Sequence, residues 1–159
     1  MRGFFKGFDP VFDKDSVLLI LGSFPSVKSR KEGFYYGNPQ NRFWKTVCGY
    51  FGEEMPKTIA DKKAFLTRRK IALWDVVTAC EIEGSQDSSI KGEEVADIRG
   101  LLASSNIKKI FCNGGKSFEL LEREFPELLN ITQKLPSTSP ANPRFLAEAW
   151  HRALDEVFL

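Results

Sequence analysis

Short apolar runs along the chain alternate with segments whose apolar residues recur at helical spacing. The runs predict buried strands in four places: 17–21, 70–77, 107–113 and, as a short fourth strand, 130–135. The helical spacing predicts helices that begin near residues 38, 58, 95 and 115, and a last helix over 145–158. Strands that alternate with helices favour parallel pairing through right-handed crossovers. We therefore expect one α/β domain over residues 1–159, a three-layer α/β/α sandwich with a short, mostly parallel central sheet.

Four loops are expected at the carboxyl ends of these strands, where parallel sheets hold their ligands. They are "GSFPSVKSRKEGFYYGN" (22–38), "TACEIEGSQDSS" (78–89), "NGGKS" (113–117) and "LPSTSPAN" (135–142). The first is unusual because it carries three adjacent aromatic residues, Phe34, Tyr35 and Tyr36. Loops seldom bury such side chains, so these are candidates for contact with a ligand. Core packing is expected instead for Phe43 and Trp44, on the helix that follows.

Two segments resemble phosphate-binding loops without matching them. "GSFPSVKS" departs from G-x-x-x-x-G-K-S at Val27, where the second glycine belongs, and Pro25 has no N–H to donate. No helix is expected to begin at Lys28, so a nucleoside-triphosphate site is not indicated. "NGGKS" places two glycines and a lysine at a helix start, where they would either hold an anion or form a plain strand-to-helix turn.

Composition and charge exclude several classes of protein. The net charge of +2 does not by itself indicate nucleic acid, although positive charge clusters at 28–31, 68–70 and 108–109. Without an apolar run of ~18 residues or a signal-peptide pattern, the chain is expected to be cytoplasmic, with no membrane partner. The three scattered cysteines predict buried thiols, and neither a metal nor another cofactor is expected. The one histidine, His151, is expected on the surface of the last helix, so hydrolysis through a histidine base is not indicated.

Two regions of the chain resemble the uracil-DNA glycosylase superfamily. They are "LILGSFPS" together with "GFYYGNPQNRFW", and "LPSTSPANPRF" before the last helix. The first region also resembles the mismatch-specific uracil-DNA glycosylases. "GSFPS", the Tyr-Tyr-Gly-Asn run, "PSTSPAN" and "LWDVVTACEIEGSQDSSI" are most similar to the branch described as hypoxanthine-DNA (deoxyinosine) glycosylases. The resemblance spans about residues 15 to 157.

The resemblance implies a monofunctional DNA glycosylase. Such an enzyme flips a deaminated base out of DNA and hydrolyses its N-glycosidic bond without a metal. Hypoxanthine is the favoured base and uracil the alternative. The implied partner is DNA that contains a damaged base, and the implied state is a monomer, associated with the nucleoid if the source is prokaryotic.

The sequence departs from the superfamily pattern at the residues that position or activate the attacking water. Most members carry Asp or Asn two residues after the glycine of the first motif, where this chain has Phe24. Many open the second motif with His or Asn, where Leu135 or Pro136 stands here. The resemblance therefore assigns the catalytic role to an asparagine of the first region, which we match to Asn38, with Asn41 as the second candidate. The alternative is that Asn38 is only the N-cap of the helix that follows.

A base pocket is expected around the first motif. Phe24 with one of the three loop aromatics would stack on the flipped base, and only one of two adjacent tyrosines in an extended chain can face it. Backbone amides of residues 22–26, and Asp75 or a serine of "GSQDSS", would read the base edge. The predicted pocket comprises Gly22, Ser23, Phe24, Pro25, Ser26, Tyr35, Tyr36 and Asp75.

Contacts with DNA are predicted from three loops, since hydroxyl groups, lysines, arginines and backbone N–H groups all bind phosphates. The predicted residues are Lys28, Arg30, Lys31, Gly114, Gly115, Lys116, Ser137, Thr138, Ser139, Pro140, Ala141 and Asn142. The loop 137–142 would also wedge into the space that the flipped base leaves, or would only be a rigid helix entry capped by its asparagine. Two other functions stay as alternatives: a hydrolase or transferase of free nucleosides, and a non-catalytic nucleic-acid-binding domain.

Overall fold

The computed structural model describes residues 2–159. The strands are β1 (Arg2–Lys6), β2 (Leu18–Gly22), β3 (Ile71–Asp75), β4 (Val77–Glu83), β5 (Lys91–Val95), β6 (Lys109–Asn113) and β7 (Thr132–Leu135). The α-helices are α1 (Val27–Glu32), α2 (Phe43–Tyr50), α3 (Ile59–Arg69), α4 (Ile98–Ala103), α5 (Gly115–Glu124) and α6 (Ala147–Phe158). Short 3-10 helices lie at Asp87–Ser89 and Pro126–Ile131.

The central sheet is parallel throughout. Its strand order is β3-β2-β6-β7, so β2 and β6 are inner strands and β3 and β7 form the edges. Every residue of β2, "LLILG", is buried, as expected for a strand that is covered on both faces. The predicted parallel sheet is confirmed, including its short fourth strand.

Alternate residues of β2 belong to two different hydrophobic layers, because side chains of a strand point to opposite faces. Leu18 and Ile20 pack in a cluster with residues of α2, α3 and α6. Leu19 and Leu21 pack in a second cluster with residues of α4 and α5. Helices therefore cover both faces of the sheet, and the predicted three-layer α/β/α sandwich is confirmed.

The protein also contains a second sheet, which was not predicted. It is antiparallel, with the order β1-β4-β5. The chain leaves the central sheet after β3 and continues directly as β4, so the single strand expected over 70–77 and the loop expected over 78–89 are both wrong. The apolar run continues from β3 into β4 without a glycine or proline, and nothing local marks the change of sheet. Val95, expected in a helix, ends β5.

The two Asn-Pro pairs form turns, and the helix starts expected there are wrong. The side-chain oxygen of Asn38 accepts a hydrogen bond from the N–H of Gln40, and that of Asn142 accepts one from the N–H of Arg144. Both are local side-chain turns of the kind that Asn favours, and α2 and α6 begin several residues later.

Helix α1 was not expected either. Its N-cap is Ser26, whose hydroxyl oxygen accepts a hydrogen bond from the N–H of Ser29. A serine cap needs only a short polar side chain, and the sequence "PSVKS" contains it. The expectation that no helix begins near Lys28 is therefore wrong.

The three cysteines and the histidine differ in burial. Cys48, Cys80 and Cys112 are buried and carry no disulfide, which confirms the predicted buried thiols. His151 is half-buried, where a surface position was expected, and its Nε2 lies 3.3 Å from the carbonyl oxygen of Thr46. Over residues 2–159, none of the helices combines the length and apolar character that a membrane crossing requires.

Candidate active site

A cavity of about 260 Å³ lies at the carboxyl ends of the parallel strands. It approaches the ~300 Å³ lower bound of typical small-molecule sites. The residues predicted as catalytic or as base pocket all line it: Gly22, Ser23, Phe24, Pro25, Ser26, Tyr35, Tyr36, Asn38, Asn41 and Asp75. Neighbouring parallel strands end at the same edge of a sheet, which brings the loop after β2 and the end of β3 together.

Only part of the predicted DNA contacts reach this cavity. Those that line it are Ser137, Thr138, Ser139, Pro140 and Ala141. Those that do not are Lys28, Arg30, Lys31, Gly114, Gly115, Lys116 and Asn142. Four further residues line it: Ser29, Ser85, Asp87 and Asn113. Ser85 is one of the serines of "GSQDSS" that the sequence analysis considered, and the other three were not expected. Asn113 ends β6, so its place at the carboxyl edge of the sheet was a usable signal, whereas nothing in the sequence indicated Ser29.

Asn38 and Asn41 differ in how their side chains are engaged. Asn38 is half-buried, and its oxygen accepts the N–H of Gln40 at 3.0 Å while its amide nitrogen has no partner within residues 2–159. The oxygen of Asn41 accepts the N–H of Phe43 at 2.9 Å, at the first residue of α2. The alternative in which Asn38 is only a helix cap is wrong, because the asparagine next to the helix start is Asn41.

Phe34 and Tyr35 belong to the core more than to the cavity. Phe34 does not line the cavity and lies over Trp44, with 6.2 Å between ring centroids. Tyr35 is 2% exposed, and its hydroxyl donates to the carbonyl of Asp9 at 2.8 Å. Phe24 is 7% exposed and forms part of the cavity wall.

Tyr36 lines the cavity together with Tyr35, although only one of the two was expected to do so. The backbone of Tyr36 is left-handed, with φ of +54°, so the extended-chain alternation does not apply. Its ring stacks on Phe43 at a centroid distance of 4.2 Å. A bulky residue with positive φ is strained by about 1–2 kcal/mol, and such residues cluster at functional sites.

Two carboxyl groups share the cavity. Asp75 is 5% exposed, and burial, with a smaller effect from the charge of Asp87, raises its pKa to about 7. Burial also raises the pKa of Asp87, against the effect of a hydrogen bond that the Ser23 hydroxyl donates at 2.8 Å. Near neutral pH the carboxyl of Asp75 is therefore divided between its protonated and ionised forms. Within the described chain, no three His, Cys, Asp or Glu side chains come together as a metal site.

Arg30 binds the loop 84–89 to the first motif, so its guanidinium is already engaged in internal contacts. Its guanidinium donates to the carbonyl of Gly84 and lies 4.3 Å from the ring centroid of Phe5. The N–H of Val27 donates to the hydroxyl of Ser85 in the same interface. A DNA phosphate would have to compete with these internal contacts.

Arg42 holds the second motif loop against the first. Its guanidinium donates to the carbonyls of Thr138, Ser139 and Asn142, and lies 4.5 Å from the ring centroid of Phe145. The structure thus joins the two motif regions through one side chain that the sequence analysis did not single out.

Internal hydrogen bonds also occupy other predicted phosphate ligands. Thr138 is 1% exposed, and its hydroxyl accepts from the amide of Asn113. The amide of Asn142 donates to the carbonyl of Ser137, inside the loop. The N–H of Gly114 donates to the carbonyl of Leu135 at 2.9 Å. These three residues shape the loops, and a phosphate would have to compete with their internal hydrogen bonds.

Comparison with known proteins identifies the family. The model of the uracil DNA glycosylase superfamily matches residues 10–154. The chain therefore belongs to the uracil DNA glycosylase superfamily, in agreement with the motif resemblance and with the α/β/α fold.

Its similarity to individual proteins extends over nearly the whole chain. It is 40% identical over 141 residues to a protein named hypoxanthine DNA glycosylase from Methanosarcina acetivorans, covering 88% of this chain and 89% of that one. A protein of the same name from Methanosarcina barkeri is 38% identical over 143 residues, covering 89% of this chain and 90% of the other. The solution NMR structure of a candidate uracil DNA glycosylase from Methanosarcina acetivorans superimposes with a TM-score of 0.84 at 37% identity, covering 98% and 99% of the two chains.

Proposed function

We propose that this chain is a monofunctional DNA glycosylase that removes hypoxanthine from DNA by base flipping. The observation that carries the proposal is that both motif regions, the loops after β2 and β7, line one cavity to which Asn38 also contributes. The relatives named hypoxanthine DNA glycosylase support hypoxanthine as the base. An enzyme that acts on a duplex base must take it out of the stack, and a cavity at the strand ends can receive it.

Asn38 is proposed to position the attacking water. Its amide nitrogen has two hydrogens without an acceptor in residues 2–159, and its oxygen keeps a second lone pair. The side chain can therefore hold a water through a donor and an acceptor at once. An amide is not a strong base, so the rate enhancement comes from positioning and from N–H groups that stabilise the departing base.

The walls of the cavity are proposed to enclose the base. The ring of Phe24 supplies an apolar surface, and stacking of a base on such a ring contributes about 1–3 kcal/mol. Stacking tolerates any base, so discrimination has to come from the polar groups deeper in the cavity.

The rim is proposed to hold the DNA strand. Pro140 and Ala141 are exposed at the mouth and suit a wedge, while Ser137 and Ser139 offer hydroxyl donors to phosphates. Lys28 and Lys31 are exposed on α1, which follows the first motif. We also propose a monomer that is located in the cytoplasm and is associated with the nucleoid if the source is prokaryotic.

The test is excision from oligonucleotides that contain hypoxanthine, uracil, xanthine or mismatched thymine, with a chelator present. We expect strand cleavage at hypoxanthine after alkali. Asn38→Ala should lower single-turnover excision by about 10²–10³-fold, because it removes a preorganised polar contact of the transition state. Its stability should change by less than about 1 kcal/mol, since only a turn is affected.

Asn106→Ala serves as the matched control, because Asn106 is an exposed asparagine that does not line the cavity. Its excision rate should equal that of the wild type. Hydrolysis of free inosine with no cleavage of the oligonucleotides would favour a nucleoside hydrolase. Full excision by a folded Asn38→Ala variant would remove Asn38 from the mechanism.

A further inference from the structure

Two buried oxygen atoms of the cavity have no hydrogen-bond partner. They are Tyr36 Oη and Asp75 Oδ2, and among residues 2–159 they are the buried side-chain polar atoms left without one. The amide of Asn113 lies near the Tyr36 hydroxyl and lowers its pKa as a hydrogen-bond donor, while the Asn113 nitrogen donates to Thr138 Oγ1 and its oxygen accepts from the N–H of Thr138. The proton of Tyr36 is left without an acceptor. Buried polar groups are nearly always paired, so an unpaired acceptor and an unpaired hydroxyl in one cavity are candidates for contact with a ligand.

Both groups surround Gly22 at the end of β2. A side-chain carbon on Gly22 would overlap Asp75 Oδ1 and would lie 3.3 Å from Tyr36 Oη. Oδ1 thus lies against the backbone of Gly22, whereas Oδ2 is buried and has no hydrogen-bond partner in the described residues. The close approach of three chain segments at this point depends on a residue without a side chain.

The chemistry of the two groups is complementary. Burial, with a further effect from the charge of Asp75, raises the pKa of Tyr36, which therefore keeps its proton and can donate it in a hydrogen bond. An ionised Asp75 only accepts. One buried donor and one buried acceptor therefore lie around Gly22. Within residues 2–159, the proton of Tyr36 has no acceptor and Asp75 Oδ2 has no donor.

We propose that Tyr36 Oη and Asp75 Oδ2 together read the lactam edge of the flipped base, Tyr36 donating to the C6 carbonyl and Asp75 accepting from N1–H. The inference rests on the proposed function and names the specificity-determining atoms of the same site. Hypoxanthine presents a carbonyl next to an N–H on this edge. Adenine presents an amino group next to an unprotonated nitrogen, which would face an ionised carboxylate without a proton between them.

This arrangement rejects adenine, the base that a glycosylase in undamaged DNA must leave alone. A site that hydrogen-bonds a substrate N–H can discriminate by about 10⁴-fold or more against an analogue that lacks it, because its buried polar groups are left unpaired. Both oxygens are buried, so this reading of the base requires the lining to move when the base enters.

Protonation of Asp75 would reverse which base the carboxyl recognises. Burial raises the pKa of Asp75 most, the charge of Asp87 raises it further and the backbone of Gly22 lowers it. Tyr35 and Tyr36 also interact with the Asp75 charge, and Lys116 acts on Asp87 in turn. A proton on Oδ2 turns this acceptor into a donor that matches the bare N1 of adenine. Preference for hypoxanthine should therefore fall as the pH decreases below about 7, the pKa to which burial and Asp87 raise Asp75.

The test compares hypoxanthine with 1-methylhypoxanthine, in which a methyl group replaces the N1 proton, in otherwise identical duplexes. Single-turnover rates are measured for the wild type, Asp75→Ala and Tyr36→Phe. The matched controls are Tyr50→Phe and Asp155→Asn, because Tyr50 donates to Asp155 at 2.7 Å in a hydroxyl–carboxyl pair that does not line the cavity.

The wild type and both controls should prefer hypoxanthine by about 100-fold or more. Asp75→Ala should bring this ratio within about 5-fold of unity, since it removes the acceptor and makes room for the methyl group. Tyr36→Phe should slow hypoxanthine excision by about 10-fold, in line with one neutral hydrogen bond, while its ring still stacks on Phe43.

The inference is overturned if folded Asp75→Ala keeps the wild-type ratio or loses activity on both bases by the same factor. If Asp75→Ala does not fold, an unchanged rate for Tyr36→Phe overturns it. Failure of the proposed function is distinguishable, because the wild type would then excise no hypoxanthine at all.

Discussion

The carboxyl of Asp75 links the stability of the protein to pH. Its pKa is raised to about 7, by burial first and by the charge of Asp87 second. The folded-state pKa lies above that of the unfolded chain, so between about pH 4 and 7 the folded protein holds a proton that the unfolded chain has released. The contribution to stability is therefore full at acidic pH and is lost as the pH rises through 7.

Wild-type protein is expected to lose on the order of 3 kcal/mol of unfolding free energy between pH 5 and pH 8 through this group. Asp75→Asn cannot ionise and should show a much smaller fall, and it should be more stable than the wild type at pH 8. Urea unfolding followed by tryptophan fluorescence at both pH values measures this. Asp155→Asn is the control and should keep the wild-type fall; a full fall in Asp75→Asn would show that another group titrates.

At the scale of elements, the junction between β6 and α5 decides where the second motif loop lies. Gly114 has φ of +97°, and a side-chain carbon there would lie 3.0 Å from the Cβ of Ser137. Gly115, the next residue, opens α5 and would meet nothing within 4 Å. The structure therefore requires a residue without a side chain at Gly114 but not at Gly115.

Gly114→Ala should lower the unfolding free energy by about 1–3 kcal/mol, because the new side chain has both an unfavourable φ and a close neighbour. Gly115→Ala should leave the stability unchanged or raise it by up to about 1 kcal/mol, since alanine favours a helix. Chemical denaturation of the two variants side by side gives the comparison. Equal effects would mean that the loop 137–142 adjusts freely to the β6–α5 turn.

At the scale of the whole molecule, the position of the charges is expected to affect DNA binding more than the net charge does. The net charge is only +2, yet Lys28 and Lys31 are exposed on α1 beside the motif loop. Lys14 and Lys108 are exposed at the opposite, amino-terminal edge of the sheet, before β2 and β6. Only the first pair lies where DNA would approach the cavity.

Binding of hypoxanthine-containing DNA is expected to weaken steeply with added salt, because bound phosphates release counterions. Replacing Lys28 and Lys31 by alanine should reduce the slope of log K against log salt by up to about 2, roughly 1 per phosphate contact. The double variant at Lys14 and Lys108 should keep the wild-type slope. Fluorescence anisotropy between low and physiological salt measures both, and a flat response of the wild type would contradict a DNA substrate.

Much of the fold follows from local pattern. The strand "LLILG" is buried on both faces, and α3 begins at Ile59, next to the helix start predicted near residue 58. Both features follow from signals that lie within a few neighbouring residues. The same locality explains the failures: no residue between β3 and β4 announces a change of sheet, and Asn-Pro fits a turn as well as a helix start.

The sequence by itself determined that a parallel sheet would gather the motif loops at one edge, since that follows from strand and helix periodicity. Only the tertiary structure decided which side chains remain available there. Ser23 meets Asp87 and Arg42 meets Thr138 across separations of 64 and 96 residues, and these contacts engage some predicted ligands while leaving Tyr36 and Asp75 unpaired. Which residues become hydrogen-bond partners at such separations depends on how whole layers pack, and this cannot be predicted from a local sequence pattern.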